Sequence, residues 1–175
     1  LQNGPTKYIL MRTFKIFMVL IAFTSFSFAQ QSPRLQATGT ANGVKIDIDY
    51  SAPSVKGRKI WGSLEKYGEI WRAGANSNTT FSFSKNVTIA GKDLPAGKYS
   101  FFIIPNETGA WTIILNSKTD IWKLRGYDKA NDKVRADLKP KMVSDNQEQL
   151  KYSVTSNGIE FAWEKVRLSI PVKAN

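Results

Sequence analysis

Val44-Lys45-Ile46-Asp47-Ile48-Asp49-Tyr50 decides the fold class. Val44, Ile46, Ile48 and Tyr50 alternate with Lys45, Asp47 and Asp49. That period of two belongs to a strand with one dry face and one wet face. Asn42-Gly43 just before it is a turn signal, and Pro33 to Thr40 reads as a weaker strand leading into that turn.

Beyond Tyr50 the alternation stops. Tyr50 to Thr80 reads YSAPSVKGRKIWGSLEKYGEIWRAGANSNTT, with two Trp, two Tyr, two Arg and four Gly. Such a segment is too long and too aromatic for a passive turn. Ser63 to Lys66 is expected to form one helical turn with Ser63 as N-cap, and Glu69 to Arg72 a short strand. Alternation resumes at Thr79. Phe81 and Phe83 oppose Thr80, Ser82 and Ser84, and Asn86 to Ala90 follows as a short strand. Gly91-Lys92-Asp93 reads as a turn, and Leu94-Pro95-Ala96-Gly97 leads into Lys98 to Ile104. In that strand Tyr99, Phe101 and Ile103 share one face, Phe102 and Ile104 the other, as in a central strand covered on both sides. Trp111 to Asn116 looks central as well, while Ile121 to Leu124 reads as a short strand or an aromatic-bearing loop.

Four strands complete the pattern. Val134, Ala136 and Leu138 alternate up to Pro140; Leu150, Tyr152 and Val154 meet Asn157-Gly158, the strongest hairpin signal; Ile159, Phe161 and Trp163 pair back. Leu168, Ile170 and Val172 end the chain, with Pro171 indicating an edge strand. About nine or ten strands with regular turns predict an all-β, two-sheet antiparallel β-sandwich of jelly-roll type, with a closed barrel as the alternative.

The N-terminus reads differently. Leu1 to Leu10 precede the first Met and look like a tag or a misplaced start. From Met11, Arg12 and Lys15 lead an uncharged apolar run ending at Ser27-Phe28-Ala29, the pattern of a signal peptide over residues 11–29. The run is shorter than the roughly 20 residues of a transmembrane helix. Residues 30–175 are then a single exported domain, periplasmic or secreted, with no transmembrane segment after cleavage. Without Lys7, Arg12 and Lys15, 22 basic residues face 14 acidic ones, for a net +8. The lysines are scattered rather than gathered in a stripe, so nucleic acid is not the expected partner.

The chain has no His and no Cys. That excludes Ser-His-Asp and Cys-His nucleophiles and the usual zinc sites. No cofactor is expected. Any catalysis would fall to carboxylates, Lys, Tyr or an oxygen-ligated metal. Asp128, Asn131 and Asp132 offer oxygen ligands, but the calcium-loop spacing is missing.

Two clusters carry binding chemistry. Trp71-Arg72-Ala73-Gly74-Ala75-Asn76, running into Thr79-Thr80, sets a planar guanidinium beside amide and hydroxyl groups, a set suited to a carboxylate or a sugar. Gly74 is read there as a conformational necessity. Lys56-Gly57-Arg58-Lys59 with Trp61 suggests an anion loop beside a stacking platform. The bland readings are a structural ion pair for Arg72, a turn cap for Asn76, a solvated basic turn and a Trp plug.

These stretches, Tyr50 to Gly62, Trp71 to Asn76 through Thr80, and Leu94 to Ser100, with Trp111 to Ile114 after them, resemble a bacterial family catalogued as a domain of unknown function, numbered 2911. The resemblance covers Ser32 to Pro171 and implies an exported, mostly β protein with no stated activity. Ala52 stands where the family's pattern usually carries Arg, and Ala73 and Asn78 replace other small residues. Tyr50, Arg58, Trp61, Trp71, Arg72, Asn76 and Thr80 match it and are the ligand-binding candidates. Three functions stay open. The first is a non-catalytic module binding a small polar or anionic ligand, plausibly a glycan, at one end of the sandwich. The second is a carboxylate-based glycan hydrolase. The third is a structural or interaction module of the cell envelope.

Overall fold

The computed structural model describes residues 31–122 and 124–175. The expected leader, Met11 to Ala29, lies outside them. Ser32–Asn175 form one unit of ten strands. They are β1 (Arg34–Ala41), β2 (Val44–Ser51), β3 (Thr80–Phe83), β4 (Val87–Ile89) and β5 (Lys92–Leu94). After them come β6 (Gly97–Ile104), β7 (Trp111–Asn116), β8 (Asp132–Leu138), β9 (Lys141–Thr155) and β10 (Gly158–Ala174). Six strands form an antiparallel sheet in the order β1-β2-β3-β6-β7-β8, and four form a second in the order β5-β4-β10-β9. The fold is all-β and open at the edges, not a closed barrel. Among the described residues no helix is long and apolar enough to cross a membrane.

Alternation builds the core. Ile46 and Ile48 of β2, Phe81 and Phe83 of β3, and Tyr99, Phe101 and Ile103 of β6 bury one face of the larger sheet. Tyr152 of β9 and Ile159, Phe161, Trp163, Val166, Leu168 and Ile170 of β10 bury the face of the smaller one. In β10 the buried positions change from odd to even numbers. The register shifts around Glu164, whose φ is +52°, account for this. The left-handed backbone at Glu164 turns every later β10 side chain to the other phase, while the extra residues of the irregular pairing lie on β9. The two segments expected as separate strands are therefore one bent element whose ends approach, since the Val172 amide donates to the Asn157 carbonyl at 3.2 Å. Pro171 is not on an edge, because β10 lies between β4 and β9. Its missing N–H falls just ahead of the β4 pairing, which starts at Val172 opposite Ile89.

The turns follow backbone sterics. Asn42 and Gly43 both have positive φ, +47° and +76°, which closes the two-residue β1–β2 hairpin. Ala90 and Gly91 do the same at +47° and +80°, so the turn sits one residue earlier than expected and Lys92–Leu94 becomes a strand. The β9–β10 hairpin turns through Ser156 and Asn157, and Gly158 is already in β10. The expected strand at Glu69 to Arg72 reduces to an isolated bridge of Trp71 with Ile103, and the stretch around Trp122 follows the loop alternative, with isolated bridges of Trp122 to Ser77 and Arg125. Ser63 does not cap a helix. It sits inside a turn closed by the Glu65 amide on the Ile60 carbonyl at 3.0 Å.

The outer face of the larger sheet carries a polar row. Asp49, Thr80, Ser100, Asn116 and Asp132 stand opposite one another on five successive strands, β2, β3, β6, β7 and β8. Directly paired residues share a face, so these form one polar row. Beside it Phe102 and Ile114 pack with Ile121 into a second apolar cluster under the 117–131 loop. That loop is anchored. The Asn116 amide donates to the Asp128 carbonyl at 2.9 Å and to the Asp132 carboxylate at 2.8 Å. The Tyr127 hydroxyl donates to the same carboxylate at 2.9 Å, and burial, aided by this bond, pushes its pKa up to about 12. Asp128 caps the short turn Lys129–Asn131 through the Ala130 amide. The acids weighed as calcium ligands are thus spent on holding the loop. Among the described residues no three His, Cys, Asp or Glu side chains converge on a metal position.

Candidate functional site

The seven residues singled out by sequence divide sharply. Trp61 and Trp71 are buried, with ring centroids 5.7 Å apart, and both lie against Trp163 at 5.6 and 5.4 Å. Trp111 closes the group, 4.6 Å from Trp61. The indole faces offered as stacking platforms are therefore covered by one another. The indole N–H groups of Trp61, Trp71 and Trp163 find no acceptor, and neither does Nε of Arg72. Burial of aromatic surface outweighs those unmade bonds, each such ring pair contributing about 0.5–1.5 kcal/mol beyond its area. Tyr50 is also internal, its ring 4.8 Å from that of Tyr152 and its oxygen accepting from the Tyr152 amide at 3.4 Å.

Two of the polar candidates are engaged by backbone carbonyls. Arg58 donates from Nε to the Val55 carbonyl at 3.0 Å and from Nη2 to the Ser54 carbonyl. Asn76, with φ +53°, donates to the Ser32 carbonyl at 3.4 Å. Ala73 also has positive φ, +50°, whereas Gly74 does not. Gly74 is required by close approach instead. A Cβ there would lie 2.6 Å from the Thr79 hydroxyl oxygen and 3.1 Å from the Ser51 carbonyl. Ala52, where the family pattern usually carries Arg, is fully buried. Glu65 is pressed into the same region. Burial raises its pKa to about 7, against the opposing pull of Arg72 and Arg58.

Thr80 belongs elsewhere. With Arg34, Ser77, Asn78, Lys98 and Trp122 it lines a concavity of about 310 Å³ on the outer face of the larger sheet, to which Thr119, Asp120 and Ile121 also contribute. Strand pairing dictates who arrives there. Thr80 sits opposite Ser100, and Ser82 opposite Lys98, so Lys98 projects from the same face two residues along. Arg34 enters from the edge strand β1. Its Nε lies 2.6 Å from Asp49, and its Nη1 donates to the Asn78 carbonyl at 3.0 Å. The Asn78 amide nitrogen donates to Ser100 Oγ, which in turn donates to the Lys118 carbonyl. This chain ties the floor of the concavity to the base of the anchored loop. Trp122, on that loop, is 52% exposed, whereas the other four Trp residues are buried.

Sequence reasoning missed Arg34, Asn78, Lys98, Asp120 and Trp122 as partners. They come from four separate stretches, and only the strand registers bring them together. The available signal was Trp122 itself, an aromatic in a segment with no strand alternation.

No curated protein and no solved structure matches the chain. The model of a family described as "Protein of unknown function (DUF2911)" matches residues 32–172, the two-sheet unit up to the last residues of β10. The three motifs of that resemblance thus sit in the aromatic end of the sandwich and its flanking strands, and the chain belongs to the DUF2911 family.

Proposed function

We propose that this protein binds a small polar ligand in the concavity around Asn78, Thr80 and Trp122, without transforming it. One observation carries the reading. A hollow of about 310 Å³ gathers two cations, an amide, hydroxyls, a carboxylate and a half-exposed indole. That volume is at the small end of ligand sites, which run to roughly 300–1,000 Å³, and a few polar groups beside an aromatic surface are their usual lining. Binding is favoured over hydrolysis because a glycosidase needs two carboxyl groups facing across the bond. Asp120 is the one carboxylate among the described lining residues. With the leader pattern at Met11 to Ala29, we read the protein as an exported binding module.

Tryptophan emission tests this directly. Four of the five indoles are buried, so acrylamide quenching reports chiefly on Trp122. A panel of neutral glycosides, sugar acids, sulfate, phosphate and acetate is titrated against the protein. A ligand that protects Trp122 from quenching, with the effect lost in Trp122→Ala, supports the reading. No response to any of them overturns it.

A further inference from the structure

We infer that the free edge of β8 takes up an acidic, extended segment of a partner protein, which adds to the larger sheet as a further strand. The inference does not depend on the concavity around Trp122.

The two seams of the sandwich differ. At one of them β1 lies against β9. A Cβ on Gly39 would be 2.8 Å from Cβ of Val154, and the Asn42 amide donates to the Ser156 carbonyl at 3.1 Å. At the other seam the edge strands β5 and β8 approach without pairing. A concavity of about 530 Å³ opens there, lined by Ala90, Lys92, Thr112, Arg135, Ala136 and Asp137. Among the described residues only β7 hydrogen-bonds to the backbone of Lys133 to Leu138. Alternate residues of an edge strand turn their N–H and C=O outward. β8 therefore presents a row of main-chain donors and acceptors beside a hollow, the arrangement that strand addition uses.

Alternation says what the added strand carries. Val134 and Ala136 stand opposite Leu115 and Ile113 on the core side, while Lys133, Arg135 and Asp137 alternate with them and are exposed. Ala90, Ala136 and Leu138 pack on the core yet keep part of their surface open. Inward side chains of an added strand cover these apolar residues, and its outward side chains fall beside Lys133 and Arg135. Lys92 is paired with the buried Ile89, so it shares the inner face of β5 and lines the hollow from the far side. Among the described residues Lys92, Lys133, Lys139 and Lys141 have no ion-pair partner. Arg135 has one, Asp132 at 3.5 Å. Asp137 accepts from Thr112 at 2.7 Å, and Asp93, on the other face of β5 from Lys92, accepts from Thr88 at 2.9 Å. All 14 acidic residues lie between Asp47 and Glu164, so the stretches outside the described residues add only positive charge. The edge is basic, and a strand with an acid at every second position complements it. A second copy of the same edge would repeat the excess charge instead.

Fluorescein-labelled peptides of seven residues, the length of β8, test this by anisotropy. The first alternates Glu with Ala or Val. Its controls replace Glu by Lys, gather the Glu residues in one block, or N-methylate one or the other alternate set of amides. The alternating acidic peptide is expected to bind. One methylated set is expected to lose about tenfold or more, because its donors face β8, and the other set to bind as before. Lys133→Glu combined with Lys139→Glu, both at exposed positions, is expected to weaken binding about tenfold or more. Amide hydrogen exchange within Asp132–Leu138 is expected to slow when the peptide is added. Circular dichroism checks the double variant, and should it not fold, the peptide series on the unaltered protein still decides. Equal binding of the block peptide, or of both methylated peptides, shows a charged surface without strand addition and overturns the inference. Polyphosphate or RNA that binds more tightly than the peptide and depends on Lys133 and Lys139 in the same way also overturns it. So does slowed exchange in β8 on raising the protein concentration alone, which marks a second copy on this edge, and so does an absence of peptide binding at low salt. None of these outcomes touches the reading of the concavity around Trp122.

Discussion

The Tyr152 hydroxyl on β9 donates to the carbonyl of Ala73 at 2.7 Å, 79 residues away in sequence, inside the core. The Thr79 hydroxyl donates to the same carbonyl at 3.1 Å. Ala73 carries φ +50°, a conformation that costs a non-glycine residue roughly 1–2 kcal/mol. Two converging donors hold it there. The long 52–79 segment is thereby fastened to the second sheet. Tyr152 is buried deeply enough that its pKa rises well above the usual phenol range, so it stays a donor throughout the accessible pH range.

Each donor backs up the other. Tyr152→Phe alone should cost about 1 kcal/mol, since Thr79 still satisfies the carbonyl. Thr79→Val alone should cost a similar amount. The double variant leaves a buried acceptor unpaired and should exceed the sum of the two by about 1–2 kcal/mol. Urea unfolding of the four proteins measures the coupling, and strict additivity would refute the shared role.

Trp71 and Trp122 should separate stability from binding. Trp71 touches Trp61, Trp163 and Phe161, so Trp71→Ala opens a cavity and should cost about 3–5 kcal/mol. Trp122→Ala, at a half-exposed position, should change stability by no more than about 0.5 kcal/mol while abolishing the fluorescence response to ligand. Thermal melts paired with titration check both. A Trp71→Ala protein with an unshifted midpoint would return Trp71 to the list of ligand contacts.

The fold was legible because period-two alternation marks which face of a strand is dry, and that is a local property. Val44 to Tyr50, Thr80 to Phe83 and Lys98 to Ile104 needed only their own residues. The site was not legible for a matching reason. Arg34, Asn78, Lys98 and Trp122 meet through the pairings of β1 with β2, β2 with β3 and β3 with β6, and through the return of the 117–131 loop. Pairing order is not written in any one stretch. Composition also misdirected the search. Trp61, Trp71 and Arg72 look like binding chemistry, yet an aromatic-rich segment crossing the end of a sandwich gains more by burying its rings than by displaying them.

Gly158 tests the bend in β10. A Cβ at this position would lie 2.2 Å from the Ile170 carbonyl oxygen and 2.9 Å from the Val172 amide nitrogen, with φ at +151°. Both are backbone atoms and cannot swing aside. Gly158→Ala should destabilise the protein by more than about 3 kcal/mol. Gly57 has φ +66° with nothing within 4 Å, so Gly57→Ala should cost only about 1 kcal/mol. Denaturation midpoints compare the two, and equal losses would mean that β10 does not press back on its own start.

Glu65 gives the chain a pH signature. Its carboxyl titrates near 4.5 when unfolded and at about 7 in the folded protein, chiefly because burial disfavours the charged form. Between those values the folded state holds a proton that the unfolded state has released. The associated stability is therefore complete below about pH 4.5, declines as pH rises, and is gone above about pH 7. Arg72 and Arg58 act against the shift, so removing either charge should carry the midpoint higher still. Glu65→Gln keeps the shape and removes the titration. It should match the parent protein near pH 4 and exceed its stability at pH 8 by on the order of 1–3 kcal/mol. Urea midpoints from pH 4 to pH 8 for the two proteins give the comparison. Parallel curves would show that Glu65 reaches solvent freely and that the 52–79 segment is looser around Arg72 than its packing indicates.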